Sequence, residues 1–131
     1  MRHRKREKHL GRTSSHRKAL RSNMANNLFT YGRIITTKEK AKYIRPFVEK
    51  LITTAKKGII KREVDKIAYI HYYRQVLSKL NNKEVLRKLF GEGKWRESGG
   101  IAARYLDRNG GYTRILKLSG SRLGVLSGSS V

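Results

Sequence analysis

Thr13, Ser14, Ser15 and His16 stand side by side in the stretch GRTSSHRKAL, residues 11–20, with Arg12, Arg17 and Lys18 around them. Three chemistries use such residues: a hydroxyl nucleophile with a histidine base, the capped start of a helix, and a grip on phosphate. The first fails on geometry. Helix neighbours project about 100° apart, so adjacency does not make Ser15 and His16 a nucleophile–base pair. The Gly-x-Ser-x-Gly turn of an acyl-transfer elbow is missing, and Asp65 and Asp107 lie in no recognisable motif. His3, His9 and His16 recur without cysteine or a carboxylate cluster, unlike the spacing of zinc sites. Gly91, Gly93, Gly99 and Gly100 are not followed by the Gly-Lys-Ser or Gly-Lys-Thr of a phosphate-binding loop. The expectation is therefore no catalytic residue, no metal, no cofactor and no small-molecule substrate. A helix start and a phosphate grip remain, and they are compatible. The first turn of a helix offers free N–H groups and the positive end of the dipole.

Charge favours the phosphate reading. Lys and Arg number 32 against 9 Asp and Glu, a formal net charge of +23. Self-repulsion at that charge opposes compaction, which makes a polyanion the natural partner. Nucleic acid comes first, because counterion release from phosphates gives affinity without a particular sequence. An anionic membrane surface comes second, but no apolar run approaches the roughly 20 residues of a membrane span. The basic N-terminus has no apolar core behind it, so it does not read as a secretory signal. An organelle transit peptide is the minor alternative. Cysteine is absent, which fits a reducing compartment.

These residues need a scaffold. Residues 1–12 hold Arg2, Arg4, Lys5, Arg6, Lys8 and Arg12 against Glu7 alone, which reads as an extended arm that orders on RNA or DNA. From Thr13, the recurrence of Leu20, Met24, Leu28 and Tyr31 predicts a helix ended by Gly32. Residues 33–37, RIITT, predict a short strand or extended link. Thr36 and Glu39 match a capping box, and Ala41, Ile44, Val48, Leu51, Ile52 and Ala55 form a helical stripe. Lys38, Lys42, Arg45 and Lys56 fall on an adjacent face. Pro46 predicts a kink or break near Arg45, and Gly58 closes the segment.

The remainder is less regular. Residues 60–80 carry two apolar faces: Ile60, Val64, Ile67, Ala68 and His71 on one, and Tyr73, Leu77 and Leu80 on another. A shorter helix over Lys83–Phe90 is capped by Asn82. Residues 91–100 read as a mobile glycine-rich loop, 101–106 as one helical turn, 107–111 as a turn and 112–118 as a strand. Most of Tyr43, Tyr69, Tyr72 and Tyr73 are expected to fill the core, although tyrosines also offer stacking surfaces for unpaired bases. The fold class expected is α+β: a small α-rich single domain over 13–118 with a short β-sheet. The basic arm 1–12 precedes it and a Gly/Ser-rich tail, 119–131, follows. Composition favours disorder in the tail.

The blocks MRHRK…LGRTSSHRKAL and GRIITTKEKAKYIRPFVEKLITTAKKG, with RYLDRNGGYTRILKL further on, resemble the bacterial large-ribosomal-subunit protein seventeen family. The resemblance covers roughly residues 1–58 and 104–118. It implies a non-enzymatic structural constituent of the large subunit that binds large-subunit rRNA near the peptide exit tunnel, beside neighbouring ribosomal proteins. It also implies a cytoplasmic ribosome, with an organellar one left open, and an arm that is functional. Charge, motifs and resemblance together assign RNA contacts to Arg2, His3, Arg4, Lys5, Arg6, Lys8, Arg12, Ser14, Ser15, His16, Arg17, Lys18, Arg21, Arg33, Lys38, Lys42, Arg45, Arg108, Gly110, Gly111, Tyr112 and Arg114. The chain departs from the family pattern in the longer GEGKWRESGGIA segment and in its ending, VLSGSSV, where an acidic residue and an apolar last strand would be usual. The residues alone leave one alternative standing, a free nucleic-acid-binding architectural protein.

Overall fold

The computed structural model describes residues 8–118. The first seven residues of the arm and the tail 119–131 lie outside them. Four α-helices follow in order: α1 Ser14–Tyr31, α2 Lys38–Lys61, α3 Lys66–Leu80 and α4 Lys83–Phe90. Short 3-10 turns at Gly93–Trp95 and Ala102–Tyr105 complete the described elements. The central element is α2, which touches α1, α3, α4 and the Ala102–Tyr105 turn.

Local caps set the helix ends. Thr13 Oγ1 accepts from His16 N at 3.3 Å, which fixes the start of α1, and Gly32 closes it in the left-handed region. Asp65 accepts from Ile67 and Ala68 at the start of α3, and Asn82 accepts from Glu84 and Val85 at the start of α4. Each cap satisfies N–H groups that have no partner inside the helix. The cap of α2 lies one residue later than the capping-box reading. Thr37, not Thr36, accepts from Lys40 N, and Glu39 turns away to pair with Lys8.

Ile44, Val48, Leu51, Ile52 and Ala55 of α2 are buried, as their spacing predicts. They meet Met24, Ala25 and Phe29 of α1, Val76 and Leu80 of α3, and Val85, Leu86, Leu89 and Phe90 of α4. Each fully buried Leu or Phe contributes roughly 1.5–3 kcal/mol relative to exposure. Tyr31, expected on the inner face of α1, is 74% exposed. The buried stripe runs through Ala25 and Phe29 instead. Of the two faces read in residues 60–80, the one with Leu80 is inside. Ile60, Val64 and Ile67 are exposed.

Three further expectations are corrected. The first is the sheet. Among the described residues there is no strand, and the fold is all-helical rather than α+β. Residues 33–37 and 112–118 lack helix, but neither pairs with a strand. Alternating β-branched and aromatic residues suit any half-buried extended backbone. At 112 and 113 that backbone is satisfied by a side chain: the Glu49 carboxylate accepts from Tyr112 N at 3.1 Å and Thr113 N at 2.9 Å. Pro46 is the second. It neither breaks nor ends α2, because its missing donor falls on an exposed side of the helix. The third is Gly58, which does not close the helix. It lies buried within α2, where an added Cβ would come 2.8 Å from the Phe90 ring and 3.2 Å from Tyr72 Cβ. Its role is close packing of α4 and α3 against α2.

Candidate nucleic-acid interface

Lys18, Arg21 and Ser22 share one face of α1. Lys42, Tyr43, Pro46, Phe47 and Lys50 share one face of α2. The two faces flank a cleft of about 940 Å³, closed at one end by Ser78, Lys79 and Asn81 at the end of α3, with Lys8 also at its edge. Six cations line it (Lys8, Lys18, Arg21, Lys42, Lys50 and Lys79) and no carboxylate does. The walls are pinned by hydrogen bonds across helices. Ser22 Oγ donates to the Lys79 carbonyl at 2.6 Å, and Asn26 Nδ2 donates to the Leu80 carbonyl at 3.0 Å. Both satisfy carbonyls at the end of α3 that have no helical partner.

Aromatic rings back the charge. The Arg21 guanidinium carbon sits 5.2 Å from the Phe47 ring centroid and 6.0 Å from that of Tyr43. Both are within cation–π range. Lys8 connects the arm to this face through its ion pair with Glu39. The hydrogen bond and charge of Lys8 hold the Glu39 carboxyl below its usual range.

The other expected residues distribute as follows. Ser14, Ser15 and His16 are exposed in the first turn of α1. Arg12 and Arg17 hold residues 9–12 against that turn. Arg12 donates to the Leu10 carbonyl at 3.1 Å, and Arg17 donates to the Arg12 carbonyl at 2.7 Å and lies 3.0 Å from His9 Nδ1. Arg33, Arg45 and Arg114 gather elsewhere, with Lys88 and Arg104, around a second groove of about 480 Å³. Lys38 is exposed and lines neither groove, and Arg108, Gly110 and Gly111 lie in an exposed segment without regular structure.

Tyr112 is only 8% exposed, with its hydroxyl 2.9 Å from Lys56 Nζ. Its side chain belongs to the core. Lys56, read from spacing as part of an anion-facing surface, instead holds Tyr112 and the Arg108 carbonyl. Arg2, His3, Arg4, Lys5 and Arg6 lie outside the described residues.

Sequence reasoning missed Lys50, Lys79, Tyr43 and Phe47 as members of the cleft. Lys50 lies two turns beyond Lys42, so a longer helical wheel would have found it. Phe47 lies outside the stripe read on α2. Lys79 enters from α3, with no sequence signal linking it to α1. Among the described residues, no group of three or more metal-ligating side chains gathers, and no helix is long and apolar enough to cross a membrane.

Comparison with known proteins gives a consistent result. A family model described as ribosomal protein L17 matches residues 20–129. The chain is 47% identical over 117 residues to large ribosomal subunit protein bL17 of Desulfotalea psychrophila, spanning 89% of this chain and 77% of that protein. It is 44% identical over 117 residues to large ribosomal subunit protein bL17 of Allorhizobium ampelinum, spanning 89% and 70%. The chain belongs to the ribosomal protein L17 family.

Proposed function

We propose that this chain is a structural constituent of the large ribosomal subunit that binds and stabilises large-subunit rRNA, near the peptide exit tunnel and beside neighbouring ribosomal proteins. It is not an enzyme. The observation that carries the reading is the acid-free cleft of six cations, in a chain of net charge +23 that belongs to a ribosomal-protein family. The mechanism is electrostatic and steric. The cleft and arm neutralise phosphates, releasing counterions, and the rigid helical core fixes the distance between the contacts.

Cosedimentation tests the assignment. On a sucrose gradient the chain is expected to travel with the large subunit and to stay there after a high-salt wash. A chain found mainly at the top of the gradient would instead be a free nucleic-acid-binding protein. A second prediction concerns the arm. Removal of residues 1–12 should weaken binding to large-subunit rRNA. It should also flatten the dependence on log salt by roughly 0.7–0.9 for each phosphate that the arm neutralises. An unchanged affinity and slope would show that the arm neutralises none.

A further inference from the structure

We infer that Arg21 is a fixed fork for one phosphate of the RNA backbone, in the cleft between α1 and α2. This rests on the rRNA-binding reading and adds a defined ligand group to it. Arg21 has an unusual environment for a cation. Its Nε is buried with no hydrogen-bond partner. Among the described residues it makes no ion pair, and its neighbours in the cleft, Lys18, Lys42, Lys50 and Lys79, carry the same sign. The two carboxylates of α2 are engaged elsewhere, Glu39 with Lys8 and Glu49 with residues 112 and 113. A partly buried charge normally has a partner. Here the protein supplies none, and the surrounding lysines favour an anion.

The stacking decides which part of an RNA strand enters. Phe47 and Tyr43 lie one helical turn apart, and their rings back the guanidinium. The ring faces turned toward Arg21 are covered by its guanidinium, so a nucleobase does not stack on those faces. Of the guanidinium nitrogens only Nε is buried without a partner, so the two terminal ones are left to meet a ligand in the cleft that Arg21 lines. Two parallel N–H donors match two phosphate oxygens. A lysine at this position would carry the charge but not the paired geometry. The lysines around the fork act through long-range attraction on flexible stems, so they respond differently to substitution.

Filter binding of labelled full-length large-subunit rRNA to the full chain, over a series of KCl concentrations, separates these roles. Arg21→Lys should weaken binding about tenfold, the loss of one charge-assisted hydrogen bond, with the salt slope unchanged. Phe47→Leu, which alters no charge, should also weaken binding, because the fork loses its backing. Lys50→Ala should weaken binding less and flatten the slope by roughly 0.7–0.9. Far-UV circular dichroism of each variant checks that the helices are intact. If Arg21→Lys and Phe47→Leu bind like the wild type while Lys50→Ala weakens, Arg21 is only one more charge, and the fork is refuted while the rRNA-binding role stands. If no variant, including the arm truncation, alters binding, both the fork and the rRNA-binding reading fall.

Discussion

Alanine at Gly91 or at Gly100 is expected to destabilise the chain by about 3–5 kcal/mol, the sum of a backbone clash and a forced left-handed conformation. The two glycines close the 91–100 segment by packing backbone against backbone. A Cβ on Gly91 would lie 2.3 Å from the Gly99 carbonyl oxygen, and one on Gly100 would lie 2.3 Å from Gly91 N. Neither neighbour is a side chain that could rotate away. Both residues also have positive φ, +75° and +84°.

What they close matters to the core. The N–H groups of Gly91 and Glu92 both donate to the Arg87 carbonyl, and Ile101 N donates to the Lys88 carbonyl. Arg62 reaches the Phe90 carbonyl, and the Tyr69 hydroxyl donates to Glu92. Partial burial, then the hydrogen bond to Glu92, push the Tyr69 hydroxyl up to about 12, so it remains a donor at neutral pH. Of the carbonyls that end α4, the segment itself satisfies that of Arg87, the residue after it satisfies that of Lys88, and Arg62 satisfies that of Phe90. Gly93→Ala is the control: its φ is +61°, but nothing lies within 4 Å of the added carbon. It should cost only about 1–2 kcal/mol. Urea unfolding followed by circular dichroism measures all three. Equal losses for Gly91→Ala and Gly93→Ala would remove the close-packing account. A typical domain has about 5–15 kcal/mol in all, so the expected loss is a large share.

That segment also marks where sequence reading stops. Four glycines in ten residues read as a mobile loop, because composition cannot tell glycine needed for freedom from glycine needed for closeness. Gly58 misleads for the same reason: it reads as a helix end and is a contact with Phe90. Features with short-range causes are legible. Asn82 caps α4 through atoms two and three residues away, and the stripe from Ile44 to Ala55 on α2 follows helical period alone.

The cleft is half legible on the same principle. Lys8, Lys18, Arg21 and Lys42 follow from local charge and motif, whereas Lys79 joins them only because Ser22 and Asn26 pin the end of α3 to α1. The expected sheet fails because an extended backbone needs hydrogen-bond partners, and sequence pattern does not say whether they come from a strand or from one carboxylate far away along the chain.

That carboxylate, Glu49, carries the second large effect. Glu49→Ala is expected to destabilise the chain by about 2–4 kcal/mol, because it strips the acceptor from two partly buried N–H groups. In the folded chain, Oε2 accepts from Tyr112 N, and Oε1 accepts from Thr113 N and from Thr113 Oγ1 at 2.6 Å. The clamp holds Tyr112 in the core against Tyr105, with ring centroids 5.3 Å apart. Release of 112–118 would therefore open the core as well as the surface. Glu49→Gln keeps the shape but turns an amide nitrogen toward one of the donors, so it should lose part of the same stabilisation.

The pH dependence distinguishes a charged clamp from a steric one. Partial burial raises the Glu49 carboxyl, but the hydrogen bond from the Thr113 hydroxyl, those from the Tyr112 and Thr113 N–H groups, and the charge of Arg45 outweigh it. The net result is a value below the ordinary 4.5. With the folded value below the unfolded one, the stabilisation is fully present above 4.5 and is lost as the pH falls through the folded value. The stability gap between wild type and Glu49→Gln should therefore be full at neutral pH and close under acid, where the wild-type carboxyl is itself protonated. Amide hydrogen exchange at Tyr112 and Thr113 should quicken in both variants at neutral pH. The exposed Glu84, which pairs with Lys94, provides the comparison. A Glu84→Gln variant that loses as much stability, or a wild-type to Glu49→Gln gap that stays constant with pH, would mean that packing alone, not the ionised carboxylate, holds residues 112–118 to α2.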